Sequence, residues 1–416
     1  MRYHEFRITE DKLNEINMSP NNLATLVNTM DAKIGIEYEF VYIEKQLKNI
    51  LSKDSPKTWS DVYSAFIDTY DLKRTMFYTF QKMKQKNNPE ISFDEVYDLW
   101  EEISSTDITP ILKELGISSY KDMIEKYNLE FKNYFLINGL EKKFNNFVNL
   151  KLKYEIKTDA SIKDNNGSAP VGNKIGAEIV SQPQSFEQTI IELEKIRQFI
   201  LKNGYTNETT GLHINVSLPN FDRNNLDYIK LVLLTGDRYV LSQFDRSFNK
   251  YAWSSIGKMS HDIKSGHTDL SVVLDAFKQQ LTQTAAKMVY LDTNKKEVSI
   301  GMKPDRIEFR SPGGNWTETI TPDFMKQTVM RFIVALDAAL DPTKYQQEYA
   351  KKLYKLFSET MKHDKNNVSK IFSEYFIGNI TREQLHSKLK GILKSRKDFN
   401  DFLDSIDLDE LEKGGD

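Results

Sequence analysis

Four stretches of the chain each set two chemistry-bearing side chains two residues apart in an alternating polar–apolar pattern. They are Glu37 and Glu39 in the run 33–42, Asp159 and Ser161 in 154–162, His213 and Asn215 in 210–218, and Glu308 and Arg310 in 306–311. A fifth stretch, 176–181, carries Glu178. In an extended chain, residues i and i+2 leave the same face roughly 7 Å apart, so each pair is offered to one side of a sheet. The other parity is largely apolar (Ile34, Ile36, Tyr38 and Phe40; Leu212, Ile214 and Val216; Ile307 and Phe309), as a buried face requires. Neighbouring carboxylates repel. A strand carries them on a fully wet face or beneath a positive charge such as a divalent cation or an arginine.

Taken alone, Glu37 and Glu39 fit a solvated edge. Five such stretches instead predict a sheet with one apolar face and one face built as a polar cup. Carboxylates with an imidazole and no thiolate match Mg²⁺ or Mn²⁺. Arg310 beside Glu308 suits a phosphate oxygen or a developing negative charge. The chain has no G-x-x-x-x-G-K-[ST] loop; clustered metals and arginine are another way to hold a nucleoside triphosphate.

These strands need a scaffold, and 416 residues are enough for two or three domains or for one with insertions. The 57 basic and 60 acidic residues leave a net charge of −3, which gives no general bias toward nucleic acid or anionic membrane. The absence of cysteine excludes disulfides, thiolate metal sites and cysteine nucleophiles, and fits a reducing compartment. No apolar run reaches membrane-spanning length and the first residues lack a signal-like apolar core, so a soluble, cytoplasmic protein is expected.

Four regions are predicted: an N-terminal arm at 1–31, a sheet domain made of 32–44 and 151–341, a helical insertion at 45–150, and a charged helical C-terminal region at 342–416. In the insertion, helices are expected at 59–86, 93–103, 110–115 and 120–150, with Phe66, Tyr70, Phe77 and Phe80 at near-helical spacing. Basic and aromatic residues interleave there, but acidic residues are equally dense, which argues against nucleic acid. The loop 163–174 is rich in asparagine and glycine and reads as a connector or a lid. Ser185 with Gln188 predicts a capped helix to Asn203-Gly204, burying Phe186, Ile190, Leu193, the Arg197 stem and Ile200. Further helices are expected over 222–250, 269–289 and from Pro322 to about Leu340.

Gly35-Ile36-Glu37-Tyr38-Glu39, Asp159-Ala160-Ser161, Gly176-Ala177-Glu178-Ile179-Val180-Ser181, Gly211-Leu212-His213-Ile214-Asn215 and Ile307-Glu308-Phe309-Arg310-Ser311 occur in this order. Together they resemble the motifs of the amidoligase family, within the glutamine synthetase and glutamate–cysteine ligase superfamily of carboxylate–amine ligases. The resemblance covers 33–42 and 154–312, and leaves out the insertion and the tail. It implies an α+β fold with a curved antiparallel β-sheet of the glutamine synthetase type and flanking helices. It also implies ATP and Mg²⁺ (or Mn²⁺) as cofactors, and a carboxylate and an amine, peptide or amino acid in nature, as substrates. The implied reaction forms an amide through an acyl phosphate. By the same resemblance Glu37, Glu39, Glu178, His213 and Glu308 are metal ligands. His213, Asn215 and Arg310 would contact the nucleotide, Arg310 would stabilise the transferring phosphoryl group, and Asp159 and Ser161 would position a substrate.

Blander roles remain open for several of these residues. Asp159 and Ser161 equally suit the start of a turn, Glu178 a lone surface carboxylate, and Arg310 a cross-strand partner of Glu37 or Glu39. Gly313-Gly314 suits a plain turn or a phosphate-facing backbone. One alternative keeps the fold and changes the acceptor, giving a phosphotransferase of guanidino or carboxylate groups. Many relatives carry a second histidine where this chain has Asn215, which leaves open a second alternative, a binding or assembly protein on a degenerate ligase scaffold. The lysine- and asparagine-rich helices suit a phage or bacterial protein, and a phage protein would act in the host cytoplasm.

Overall fold

The computed structural model describes residues 20–148, 154–247, 252–258 and 298–345, together with a few further positions at 249 and within 348–352 and 380–388. Residues 1–19 of the arm expected at 1–31, the helix at 269–289, and most of the C-terminal region lie outside the described residues, as do His4, His261, His267, His363 and His386.

The described residues form an open antiparallel sheet flanked by helices. Its strands are β1 (Lys33–Ile43), β2 (Tyr154–Thr158), β3 (Lys174–Ser181), β4 (Gly204–Tyr205), β5 (Leu212–Ser217), β6 (Ile300–Met302) and β7 (Ile307–Phe309). Their order is β2-β3-β1-β5-β7-β6, with β4 paired to the end of β1. The long opening strand thus lies inside the sheet, bonded to β3 on one edge and to β5 on the other. It is not the solvated edge that its two glutamates suggest when read alone.

Period-two alternation holds across the sheet. Ile34, Ile36, Tyr38, Phe40, Leu212, Ile214, Val216, Ile307 and Phe309 are all completely buried. Four helices, α1 (Pro20–Thr29), α9 (Phe186–Asn203), α10 (Tyr228–Thr235) and α13 (Pro322–Leu340), share one core with this apolar face. Phe309 stacks flat on Phe332 of α13 with ring centroids 4.0 Å apart. α13 has the expected bounds because Thr321 caps Phe324 N and proline occupies its first turn. Ser185 likewise caps Gln188 N at the start of α9. The buried stripe of α9 runs through Thr189, Glu192, Ile196 and Phe199 as well as Phe186, Leu193 and Ile200, whereas Ile190 is only partly buried.

The regular elements of the segment 47–148 are helices, α2 (Leu47–Lys53), α3 (Trp59–Ala65), α4 (Tyr70–Asn87), α5 (Phe93–Thr106), α6 (Thr109–Glu114), α7 (Tyr120–Tyr127) and α8 (Tyr134–Val148). Two expected helices are broken. The one over 59–86 stops at Phe66, which is extended and bridges Phe131, and Asp68 is left-handed at φ 51°. The one over 120–150 stops at Asn128, which caps α7 in the left-handed region that asparagine tolerates. Tyr70, despite its near-helical spacing with buried Phe66 and Phe80, is 79% exposed. The helical core of this segment is continuous with that of the sheet through Phe144, whose ring meets Tyr154 and Phe199 at centroid distances of 5.1 Å.

Two further expectations change. The strand expected over 154–162 ends at Thr158, and Asp159 Oδ1 accepts from Ser161 N (2.7 Å), so both residues belong to a turn. The reason is local: a short aspartate side chain reaches the backbone N–H two residues on and closes an Asx turn. The helix expected over 222–250 is three pieces, a 3-10 turn at Arg223–Asn225 capped by Asp222, then α10 and α11 (Asp237–Gln243), divided by left-handed Gly236. A short helix α12 (Trp316–Thr319) precedes α13.

Candidate functional site

Strand register gathers the polar residues. Glu37 lies opposite His213, Glu39 opposite Glu178, and Asn215 opposite Glu308. All six therefore leave one face, spread across four neighbouring strands. The stretches that supply them are up to 271 residues apart in sequence, counting from Glu37 to Glu308; only sheet pairing brings them together.

His213 is the hub. Its Nδ1 is 3.0 Å from Glu37 Oε2 and 4.0 Å from Glu308 Oε1, and its Nε2 is 3.5 Å from Glu39 Oε1. Glu37, His213 and Glu308 each present a ligand atom within 4.8 Å of the others. Glu39 lies on the other side of the imidazole, and one of its oxygens accepts from Gly211 N (2.5 Å). Asn215 is a positioning residue in this geometry: its Nδ2 donates to Glu37 Oε1 (3.1 Å), and its Oδ1 accepts from Arg306 Nε (3.0 Å).

Glu308 is 3% exposed and surrounded by cations. Arg310 meets it with two nitrogens, Nε to Oε2 at 2.9 Å and Nη2 to Oε1 at 3.0 Å, and Lys303 Nζ approaches Oε2 at 3.1 Å. The partner of Arg310 is thus Glu308 on its own strand segment, not Glu37 or Glu39 across the sheet. Arg246, itself 2% exposed, donates through Nη1 to the carbonyls of Arg310 (3.0 Å) and Pro312 (2.5 Å). It anchors the chain just after β7. Gly313 has φ +146°, and a Cβ there would collide with the Arg246 guanidinium.

The protonation states follow from this packing. Burial pushes the Glu37 carboxyl up, but hydrogen bonds from His213 and Asn215 and the charges of His213 and Arg310 outweigh it, so the group titrates at about 2. Glu308 is also lowered: burial opposes the shift and the Arg310 fork overcomes it. Burial opposes charge on His213, yet Glu39 and Glu37 together raise its pKa. Glu178 goes the other way. Burial and then the repulsion of Glu37 and Glu39 lift it to about 7.

Every candidate residue from the sequence can now be located. Glu37, Glu39, Glu178, His213, Asn215, Glu308 and Arg310 occupy the polar face or its border. Asp159 stands in the turn beyond β2, close enough to add to the upward pressure on Glu178. Ser161 is exposed in the same turn. The loop 163–174 is tied down: Lys163 N donates to Thr209 Oγ1, Asn207 Nδ2 donates to Lys163 O, and Asp164 accepts from Tyr205 and Lys174. Gly314 N donates to Thr210 O (2.8 Å) and Gly313 forms an antiparallel bridge with Gly211, so this glycine pair continues the pairing beyond β5 and β7 and is not a plain turn.

Sequence reasoning missed Lys303, Arg306 and Arg246. Arg306 was legible, because it precedes Glu308 by two and so shares its parity. Lys303 required the β6–β7 hairpin to be recognised, and Arg246 carried no local signal.

No described helix is long and apolar enough to cross a membrane. No protein-family model matches this chain. No curated protein sequence matches it either.

Proposed function

We propose that this protein is an ATP-dependent carboxylate–amine ligase that uses a divalent metal ion and a sheet of the glutamine synthetase type. One observation carries the proposal: Glu37, His213 and Glu308 converge with donor atoms within 4.8 Å, beside an arginine that forks onto Glu308. The donor set fits the metal, with two carboxylates and one imidazole, no thiolate, and Glu37 ionised at any ordinary pH. Burial and then the crowding of acids lift Glu178 to about 7, and an added positive charge would relieve the crowding. A divalent cation held by Glu37, His213 and Glu308 would supply the field that lets a carboxylate approach a phosphate.

The chain's own groups divide the remaining work. Arg310, anchored through its carbonyl by Arg246, presents a charged fork to the phosphoryl oxygens. Asn215 and Arg306 orient the Glu37 carboxylate. Glu178, titrating near neutrality at the acidic end of the face, is suited to take a proton from an incoming ammonium group at its carboxylate oxygen. In the proposed reaction a substrate carboxylate oxygen attacks the γ-phosphorus of ATP, the bond to the β,γ-bridging oxygen breaks and ADP leaves. The amine, having lost a proton, then attacks the acyl carbon, the C–O bond to phosphate breaks, inorganic phosphate leaves, and loss of the second nitrogen proton gives the amide. An amino acid or peptide is the proposed substrate class, and the cytoplasm the proposed location.

The test is Mg²⁺-dependent ADP release in the presence of mixed amino acids and peptides, with mass spectrometry to find a new amide. Glu37→Gln and Glu308→Gln are expected to abolish release while the protein stays folded. Release that is unchanged in both variants would refute the assignment. A stable phosphorylated product without an amide would make the protein a phosphotransferase.

A further inference from the structure

We propose that the β6–β7 hairpin builds an anion-binding rim from Lys303, Arg306 and Arg310, and that Glu308 is the internal anion occupying it until a phosphate or carboxylate of a reactant arrives. The inference deepens the ligase reading and rests on it for the identity of the reactants. Its central contact is testable without metal or turnover.

The hairpin geometry carries the argument. Lys303 N donates to Arg306 O (2.9 Å) across the Pro304-Asp305 turn, so the two residues flank the tip. Alternation places Gly301 and Lys303 on the polar side of β6 and its extension, and Arg306, Glu308 and Arg310 on the polar side of β7. Gly301 lies opposite Glu308. A Cβ there would come within 3.3 Å of Glu308 Oε2, so the bare glycine leaves the carboxylate room to recline beneath Lys303.

The charges are layered by depth. The Glu308 side chain is 4% exposed, that of Arg310 17%, and that of Lys303 37%. An anion arriving from solvent therefore meets the ammonium and the guanidinium before it meets the carboxylate below. Arg306 adds a third cation, and its own carboxylate partner Asp305 points out into water with 73% of its side chain exposed. Elsewhere the face carries Glu37, Glu39 and Glu178, with Lys157 of β2 opposite Glu178 at the far edge. Lys303, Arg306 and Arg310 form a separate cluster at the other end, next to the candidate metal ligands.

This arrangement makes Glu308 a competitor for the rim. Both of its oxygens are engaged by Arg310, and Oε2 by Lys303 as well. Whatever draws the carboxylate toward Glu37 and His213 releases these donors to an external anion. By linkage, an anion that takes the donors releases Glu308 toward a cation. Arg310 keeps its place because Arg246 holds its carbonyl, whereas Lys303 has a long flexible stem that can follow the incoming group.

Calorimetry of the full chain with inorganic phosphate, and separately with succinate, tests the proposal in a chelating buffer. Glu308→Gln removes the internal charge and is expected to bind the anion about tenfold more tightly than the wild type, the worth of one charge-assisted hydrogen bond. The double variant Glu308→Gln with Lys303→Met should lose that gain. No gain in the first variant, or a gain indifferent to Lys303, overturns the proposal. If the glutamine variant does not fold, Lys303→Met alone decides, because its side chain is at the solvent boundary: anion affinity should fall about tenfold, and an unchanged affinity overturns the rim. Preference for phosphate over succinate assigns the rim to the phosphoryl group, and the reverse assigns it to the carboxylate substrate. Mn²⁺ binding by the wild type is measured in parallel. Its absence refutes the metal reading and leaves the metal-free anion titration to decide the rim by itself.

Discussion

Glu178→Gln is expected to stabilise the metal-free protein above neutral pH, although it removes a charged residue from the heart of the site. In the folded chain the Glu178 carboxyl titrates at about 7 against an ordinary 4.5, raised by burial and by the charges of Glu37 and Glu39. A carboxyl whose pKa rises on folding adds stability that is fully present below the unfolded value and is lost as pH rises through the folded one. The window is therefore from about 4.5 to about 7. At about 1.4 kcal/mol per unit, reduced because solvent reaches and screens the carboxyl, the wild type gives up roughly 1–2 kcal/mol across it, and a neutral amide does not. Urea unfolding of both proteins in chelating buffer, at intervals between about pH 5 and about pH 8, measures the difference directly. The variant should gain on the wild type as pH rises. A flat difference, or a variant that loses ground at the alkaline end, refutes the electrostatic account of the face. Saturating Mn²⁺ should remove most of the wild-type penalty, since a bound cation favours the ionised carboxylate.

Three other perturbations probe the scaffold. Lys143→Met strips the ammonium (2.7 Å) from Glu44, whose side chain is fully buried and also accepts from Tyr42; the expected loss is about 3 kcal/mol at neutral pH, and because the Glu44 pKa is depressed in the native protein the deficit should shrink as pH falls through the carboxylate range, which a pH series of unfolding midpoints checks. Gly313→Ala forces a side chain into φ +146° against Arg246 and should cost roughly 1–3 kcal/mol, with chemical denaturation as the readout. Phe332→Ala removes the ring stacked at 4.0 Å on Phe309 and should cost roughly 3–5 kcal/mol, read by loss of thermal stability; a cost under about 1 kcal/mol would mean that α13 does not brace β7.

Much of the candidate site was legible because strands write their faces into sequence with a period of two. The parity of Glu37, Glu39, His213, Asn215 and Glu308 alone predicted a common polar face, and the structure places all of them there. Asp159 and Ser161 obeyed the same pattern and still turned out of the strand, because an aspartate can trade a ladder bond for a backbone bond two residues on. The long helices of the insertion failed for a related reason. Phe66 and Asn128 break them through tertiary bridging and a left-handed cap, and neither leaves a mark in helical periodicity.

Sequence by itself determined which side chains share a face, the donor chemistry available there, the absence of thiolate, and the bounds of strongly capped helices such as α13. Register, partners and depth belonged to the tertiary structure alone. That Glu37 meets His213, that Glu39 faces Glu178, and that Arg310 pairs with Glu308 follow from which strands lie side by side. Periodicity is a property of one strand, whereas neighbourhood is a property of the sheet. The same distinction separates Glu37 from Glu39. They are equivalent in the sequence, but in the sheet Glu37 joins His213 and Glu308 in the cluster that could hold a metal, and Glu39 lies across the imidazole with one oxygen capped by a backbone N–H.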